Sequence, residues 1–232
     1  MKEIEFTIDE SNDKENKRVG IALVVHDKDV FGKIEKIKNK LHLRFSDNIS
    51  KKLKYHFSED TGSLSSSIIK EISKLNIVSY SVIGFLRENV NNNQIYQTYF
   101  NDLLKPILMK YEKMGYQLFN LNFENLSEKI EKDRAEFIEN LSEDVFFKKR
   151  IKEGVIKVNV IKKEKLLTIL PDYIIGVLLL SLKSKNREPG SLSSTCLHDM
   201  KNKISRVKII SDKTRWYDFK KQNDYDDFVK LE

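Results

Sequence analysis

Hydrophobic and polar positions alternate from Ile4 to Ile8, the period-two signature of a half-buried strand. That run closes on Asp9-Glu10-Ser11-Asn12-Asp13, a cluster of turn formers. Val19 to Val25 is continuously apolar and reads as a buried strand. The two runs predict a hairpin with a polar loop from Asn12 to Arg18. The period then lengthens. Val30, Ile34, Ile37 and Leu41 fall at helical spacing, with Asp29 placed to cap them. Leu53 to Asp60 reads as irregular or extended. Ser63 to Leu75 predicts a helix with Ile68, Ile69 and Ile72 on its apolar face. Ile77 to Leu86, rich in Val, Ile and Tyr, predicts the third strand.

Tyr96 to Met114 predicts a long helix kinked at Pro106 and stopped by Gly115. Tyr116 to Phe123 alternates and predicts the fourth strand. Ser127 to Leu141 predicts a helix and Val155 to Val160 a fifth strand. Pro171 to Leu182 is apolar on nearly every side, as a buried helix is. The order β-β-α-α-β-α-β-α-β-α predicts an α/β fold: a mixed sheet with an initial antiparallel hairpin, helix-linked strands and flanking helices. Lys183 to Gly190 reads as a boundary. It divides the chain into a domain over residues 1–185 and a basic C-terminal extension over 186–232.

Composition places this pattern in a globular class. Of 232 residues, 40% are hydrophobic and 33% charged, which suits a packed core rather than disorder. The single cysteine, Cys196, excludes a disulfide within the chain and argues against a cysteine-based zinc site. Met1 to Phe6 lacks the apolar stretch of a signal peptide, and the run from Tyr173 to Leu182 is too short to span a bilayer. The expected setting is a reducing cytoplasm, with no membrane partner. Net charge is +7, which favours polyanions mildly. From Lys183 to Arg215 there are nine basic residues against three acids. Such a segment either follows a phosphate backbone or is a lysine-rich solvated surface.

The candidate chemistry is carboxylate chemistry. Asp9 and Glu10 stand side by side at the end of the first strand, and neighbours on an extended chain point to opposite faces. Asp9 is the one expected over the open face, at the strand end where α/β sheets bind ligands. Asp172, after Pro171, lies in the first turn of the buried helix. It is either a site carboxylate or a cap for the free amides there. His56 and Glu124 are further candidates; the alternatives are a surface or core histidine and a solvated loop acid. No GxxxxGK, GxGxxG or GxSxG motif occurs, and His26, His42, His56 and His198 show no paired metal-ligand spacing. Oxygen ligands remain, and they suit Mg²⁺ or Mn²⁺.

Ile8-Asp9-Glu10-Ser11 resembles the Asp-Glu-Ser-Gly opening of the DUF3800 family. Val19 to Val25 is similar to that family's second strand, and Tyr55-His56-Phe57-Ser58 to its histidine segment. Leu170-Pro171-Asp172-Tyr173-Ile174-Ile175-Gly176 resembles its late Leu-Ala-Asp segment. The order agrees over residues 3 to 185. The family's glycine is Asn12 here, a residue that tolerates left-handed turns. The resemblance implies a ribonuclease-H-like fold, with Asp9 as the first-strand acid and Asp172 as the late acid. Only Glu124 can stand for the acid that ends the family's fourth strand.

The implied activity is divalent-metal-dependent phosphodiester hydrolysis of DNA or RNA, in phage defence or a mobile element. Asp9, Asp172 and Glu124 are the implied metal ligands, and Asp9, Glu10, Asp172 and His56 the implied catalytic set. The alternative is a non-catalytic nucleic-acid-binding or protein-interaction subunit that keeps the fold. Arg215-Trp216-Tyr217 and Phe219-Lys220-Lys221 either stack on bases or anchor the extension to the domain. The extension is also the expected place for self-association or a protein partner.

Overall fold

The computed structural model describes residues 1–13, 15–45, 57, 60–86, 92–125, 141, 143–162, 168–183, 191–211 and 213–231. Seven strands form one mixed sheet: β1 (Glu3–Asp13), β2 (Arg18–His26), β3 (Ile77–Phe85), β4 (Leu118–Asn125), β5 (Ile156–Lys162), β6 (Ile204–Ile210) and β7 (Arg215–Asp218). Their order is β5-β4-β1-β2-β3-β6-β7. β1 is antiparallel to β2 and parallel to β4; β4 is parallel to β5, and β3 to β6.

Helices cover both faces, which is why β2 reads as an unbroken apolar run. On one face lie α1 (Val30–Phe45), α2 (Gly62–Ile72), α6 (Ile169–Ser181), α7 (Leu192–Met200) and α8 (Gln222–Val229). Their apolar residues share a core with Ala22, Val24, Ile83 and Val207. The other face carries α3 (Asn92–Thr98), a π-helical stretch (Tyr99–Leu104), α4 (Lys105–Lys113) and α5 (Val145–Lys152). They pack on Ile4, Phe6, Ile8, Ile21 and Leu23. The expected α/β architecture with an initial antiparallel hairpin is the one observed.

The differences have physical causes. β1 runs on through the polar cluster to Asp13, because β2 offers a ladder partner at every step to Asp13↔Arg18. The turn tightens instead at Lys17, whose φ is +50°. The kink at Pro106 takes the form of the π-helical stretch. Proline has no N–H for the carbonyl of Asp102, four residues back, and the preceding turn widens. Gly115, at φ +86°, ends α4 as expected. α5 was not foreseen: its only buried residue is Phe147, and its start rests on Asp144, which accepts the amides of Phe146 and Phe147. The predicted helix over Ser127 to Leu141 and the segment Leu53 to Ser58 fall almost wholly outside the described residues.

The segment expected as an extension contributes α7, β6, β7 and α8. β6 lengthens the sheet beside β3, and Met200, Val207, Tyr217, Phe219 and Phe228 join the α6-side core. Asp224 to Asp227, an acidic stretch, lies within α8, held by Arg215.

Candidate active site

Strand alternation divides the adjacent acids. Ile4, Phe6 and Ile8 face the α4-side core, so Glu5, Thr7 and Asp9 face α6. Asp9 pairs with Ala22 and is 4% exposed. Glu10 belongs to the opposite face, where the Tyr96 hydroxyl of α3 donates to its carboxylate. The two neighbours therefore serve different surfaces of one strand.

α6 brings the second carboxylate. Its path is fixed at two points. A Cβ on Gly20, the partner of Ser11, would meet Ile175 Cδ1 at 2.4 Å, so α6 crosses the sheet in close contact there. Beyond the helix, the Lys183 ammonium lies 3.7 Å from Asp13 and 3.8 Å from Glu15, at the hairpin tip. The helix therefore advances in the direction of β1. Asp172 precedes Ile175 by one turn, about 5 Å. Asp9 precedes Ser11 by two residues, about 7 Å. Asp172 is thus carried back toward the level of Asp9, on the same face.

Asp172 is 6% exposed. α6 begins at Ile169, earlier than Pro171, so Asp172 sits inside the first turn rather than at its cap. One of its oxygens accepts the Phe57 amide at 2.7 Å, across 115 residues of chain. The Phe57 ring stands edge-on to Tyr173 at 5.5 Å, and the Tyr173 hydroxyl donates to Asp60. Burial first, and the Asp60 carboxylate second, raise the Tyr173 phenol well above its ordinary pKa. His56 itself lies outside the described residues; its neighbour Phe57 is the residue that touches Asp172.

Glu124 is a β4 residue whose side chain lies outside the described set. Its backbone position is defined. The β1–β4 ladder ends at Ile8↔Phe123, so Glu124 follows the last paired residue of β4 as Asp9 follows that of β1. Among the described residues no three His, Cys, Asp or Glu side chains gather as a metal cluster. Two buried carboxylates on one face nevertheless suit a hard cation, because Mg²⁺ takes one or two protein carboxylates and keeps its other positions for water and phosphate.

The sequence reading missed a polar row on this face. Glu5 accepts Asn120 at 2.6 Å and Asn122 at 2.8 Å, and Asn122 accepts Asn159 at 3.0 Å. Thr7 bonds His26 at 2.9 Å. The alternation Asn120-Leu121-Asn122-Phe123 carried the signal: polar residues on one face of an interior strand imply polar partners on its neighbours. Cys196, by contrast, is no nucleophile. It is 1% exposed, and burial pushes its thiol up to about 11.

The cations of the C-terminal segment are largely engaged. Arg215 pairs with Asp227 at 2.8 Å, Lys208 with Asp102 at 2.5 Å and Arg206 with Asp218 at 3.8 Å. Lys203 donates to the Leu75 carbonyl, and Lys201 to Gln222, each at 2.6 Å. Tyr217 and Phe219 are buried, so this stretch of the aromatic motif anchors the segment to the sheet.

No protein-family model matches the chain, and no curated protein does either. The resemblance to the DUF3800 family therefore stands on the motif residues alone. No helix among the described residues is long and apolar enough to cross a membrane.

Proposed function

We propose that the protein is a divalent-metal-dependent nuclease of ribonuclease-H-like architecture acting in the cytoplasm. The reading rests on two buried carboxylates, Asp9 and Asp172, that strand alternation and the path of α6 assign to one sheet face. The five-strand core β5-β4-β1-β2-β3 supports it, with the acid-bearing strand central and only β2 antiparallel to β1, β4 and β5 within that group's first four strands.

Asp9 and Asp172 are the residues that would hold Mg²⁺ or Mn²⁺, with Glu124, the first β4 residue past the last β1–β4 pair, as the candidate third ligand. A bound ion supplies an activated water and neutralises charge on the attacked phosphate. The chain's own contribution is positional. The sheet fixes Asp9, the Phe57 amide orients Asp172, and α6 excludes water from the face beneath it. Glu10, across the strand, has no part in this set.

The test is cleavage of labelled single- and double-stranded DNA and RNA with Mg²⁺ or Mn²⁺. Asp9→Asn and Asp172→Asn should each lower the rate on the order of a hundredfold or more, with the fold intact by circular dichroism. Undiminished metal-dependent cleavage by Asp9→Asn overturns the assignment. Salt-sensitive binding with no cleavage under any metal would put a non-catalytic binding subunit in its place.

A further inference from the structure

The exposed face of α1 carries a cationic stripe. Over Val30–Phe45 the helix carries five cationic side chains, Lys33, Lys36, Lys38, Lys40 and Arg44, against one carboxylate, Glu35. Lys33, Lys36, Lys40 and Arg44 are exposed and spaced by three, four and four residues. That spacing sets them in one stripe on the helix, about 16 Å long at 1.5 Å per residue. Lys33 is balanced by Asp29 at 2.5 Å, and Lys40 by Glu71 at 2.7 Å. Lys36, among the described residues, has no ion-pair partner, and Arg44 stacks over Phe45 at 5.6 Å.

The position of this stripe gives it a purpose. An adjoining side of α1 buries Val30, Ile34 and Leu41 in the core shared with α6. Ile34, Ile37 and Leu41 line one small cleft with Ile169 and Leu170. Those two residues open α6, and Asp172 lies in the same turn. The helix that bears the stripe therefore packs against the turn that carries the candidate ligand. Among the described C-terminal cations, Arg206, Lys208 and Arg215 face acids of the protein, while Lys213, Lys220, Lys221 and Lys230 are exposed.

We propose that α1 is the surface that binds the nucleic-acid backbone, with Lys36 and Arg44 as phosphate contacts; the choice of polyanion rests on the nuclease reading above. A membrane surface fits less well. An interfacial helix must bury its apolar face in lipid, and that of α1 is committed to the protein core.

The experiment is fluorescence anisotropy of labelled single-stranded DNA and RNA against the full-length protein. It is run in EDTA at several salt concentrations, so that binding is read without metal or cleavage. The double variant Lys36→Gln with Arg44→Gln leaves both ion pairs of α1 in place. It should bind on the order of tenfold more weakly and reduce the slope of log K against log salt by about 1.4. Lys213→Gln, an exposed C-terminal cation, should bind like the wild type. The proposal is overturned if the double variant keeps wild-type affinity and slope, or if Lys213→Gln loses as much. It is equally overturned if the wild type ignores oligonucleotides or binds only phosphatidylserine vesicles. Asp9→Asn separates the two readings: in EDTA it should bind normally, whatever its effect on cleavage.

Discussion

At the scale of single residues, the candidate site depends on groups that chemistry alone does not select. Asp9 and Glu10 are equivalent as acids, yet one lies beneath α6 and the other meets Tyr96 on the far face. Glu10→Gln should therefore leave metal-dependent cleavage within a few-fold of wild type, while Asp9→Asn abolishes it; parallel rate measurements decide this. His26 offers a second residue-scale expectation. It is 2% exposed, and burial lowers its pKa below 6.5 despite the bond to the Asp27 carbonyl. A depressed native pKa means that the unfolded chain takes up the proton first. The stability held by neutral His26 is complete above about pH 6.5 and is lost as pH falls through the native value. Urea midpoints measured from pH 8 to 5 should fall more steeply for the wild type than for His26→Gln.

At the scale of elements, the close packing of α6 is the feature that sets the site. Gly176 admits the Phe57 ring where a Cβ would lie 2.3 Å from Cδ1. A ring wedged between elements yields less readily than the tip of an aliphatic chain. Gly176→Ala should therefore cost about 1–3 kcal/mol, from overpacking. It should also weaken metal binding by displacing the amide that holds Asp172. Thermal unfolding and Mn²⁺ titration calorimetry measure the two effects separately. Ion pairs at the surface carry much less. Arg215, half exposed on its Asp227 contact, contributes little because solvent screens the pair. Phe228, next to Asp227 on α8, is buried, and Phe228→Ala should cost about 3–5 kcal/mol by chemical denaturation.

At the scale of the whole molecule, residues 191–231 are built into the sheet. Removing everything after residue 190 would uncover the edge of β3 and strip Met200, Val207, Tyr217, Phe219 and Phe228 from the core. An exposed hydrophobic edge is a template for aggregation. The shortened chain should be insoluble on expression, or bind a hydrophobic dye as a loosely packed state; a soluble, cooperatively unfolding product would contradict this view. The basic character of the segment had suggested a surface for nucleic acid. Packed in place, Arg206, Lys208 and Arg215 each face an acid of the protein.

Period-two and period-3.6 patterns determined most of the elements, because each side chain of a strand or amphipathic helix records which face is buried. The hairpin, the all-apolar α6, the break at Pro106 and the stop at Gly115 were legible in this way. So was the division of Asp9 from Glu10, since alternation is a property of the strand itself. Other features were decided only by the tertiary structure. Pairing with β2 drew the polar residues up to Asp13 into a strand that their turn propensity argues against. The amides of Asn120 and Asn122 acquired their meaning from Glu5, more than a hundred residues away. Asp172 lies on a helix over the hairpin because α6 crosses Gly20 in the direction of β1. Local periodicity reports which way a residue faces; which residue it meets depends on contacts between elements remote in the chain.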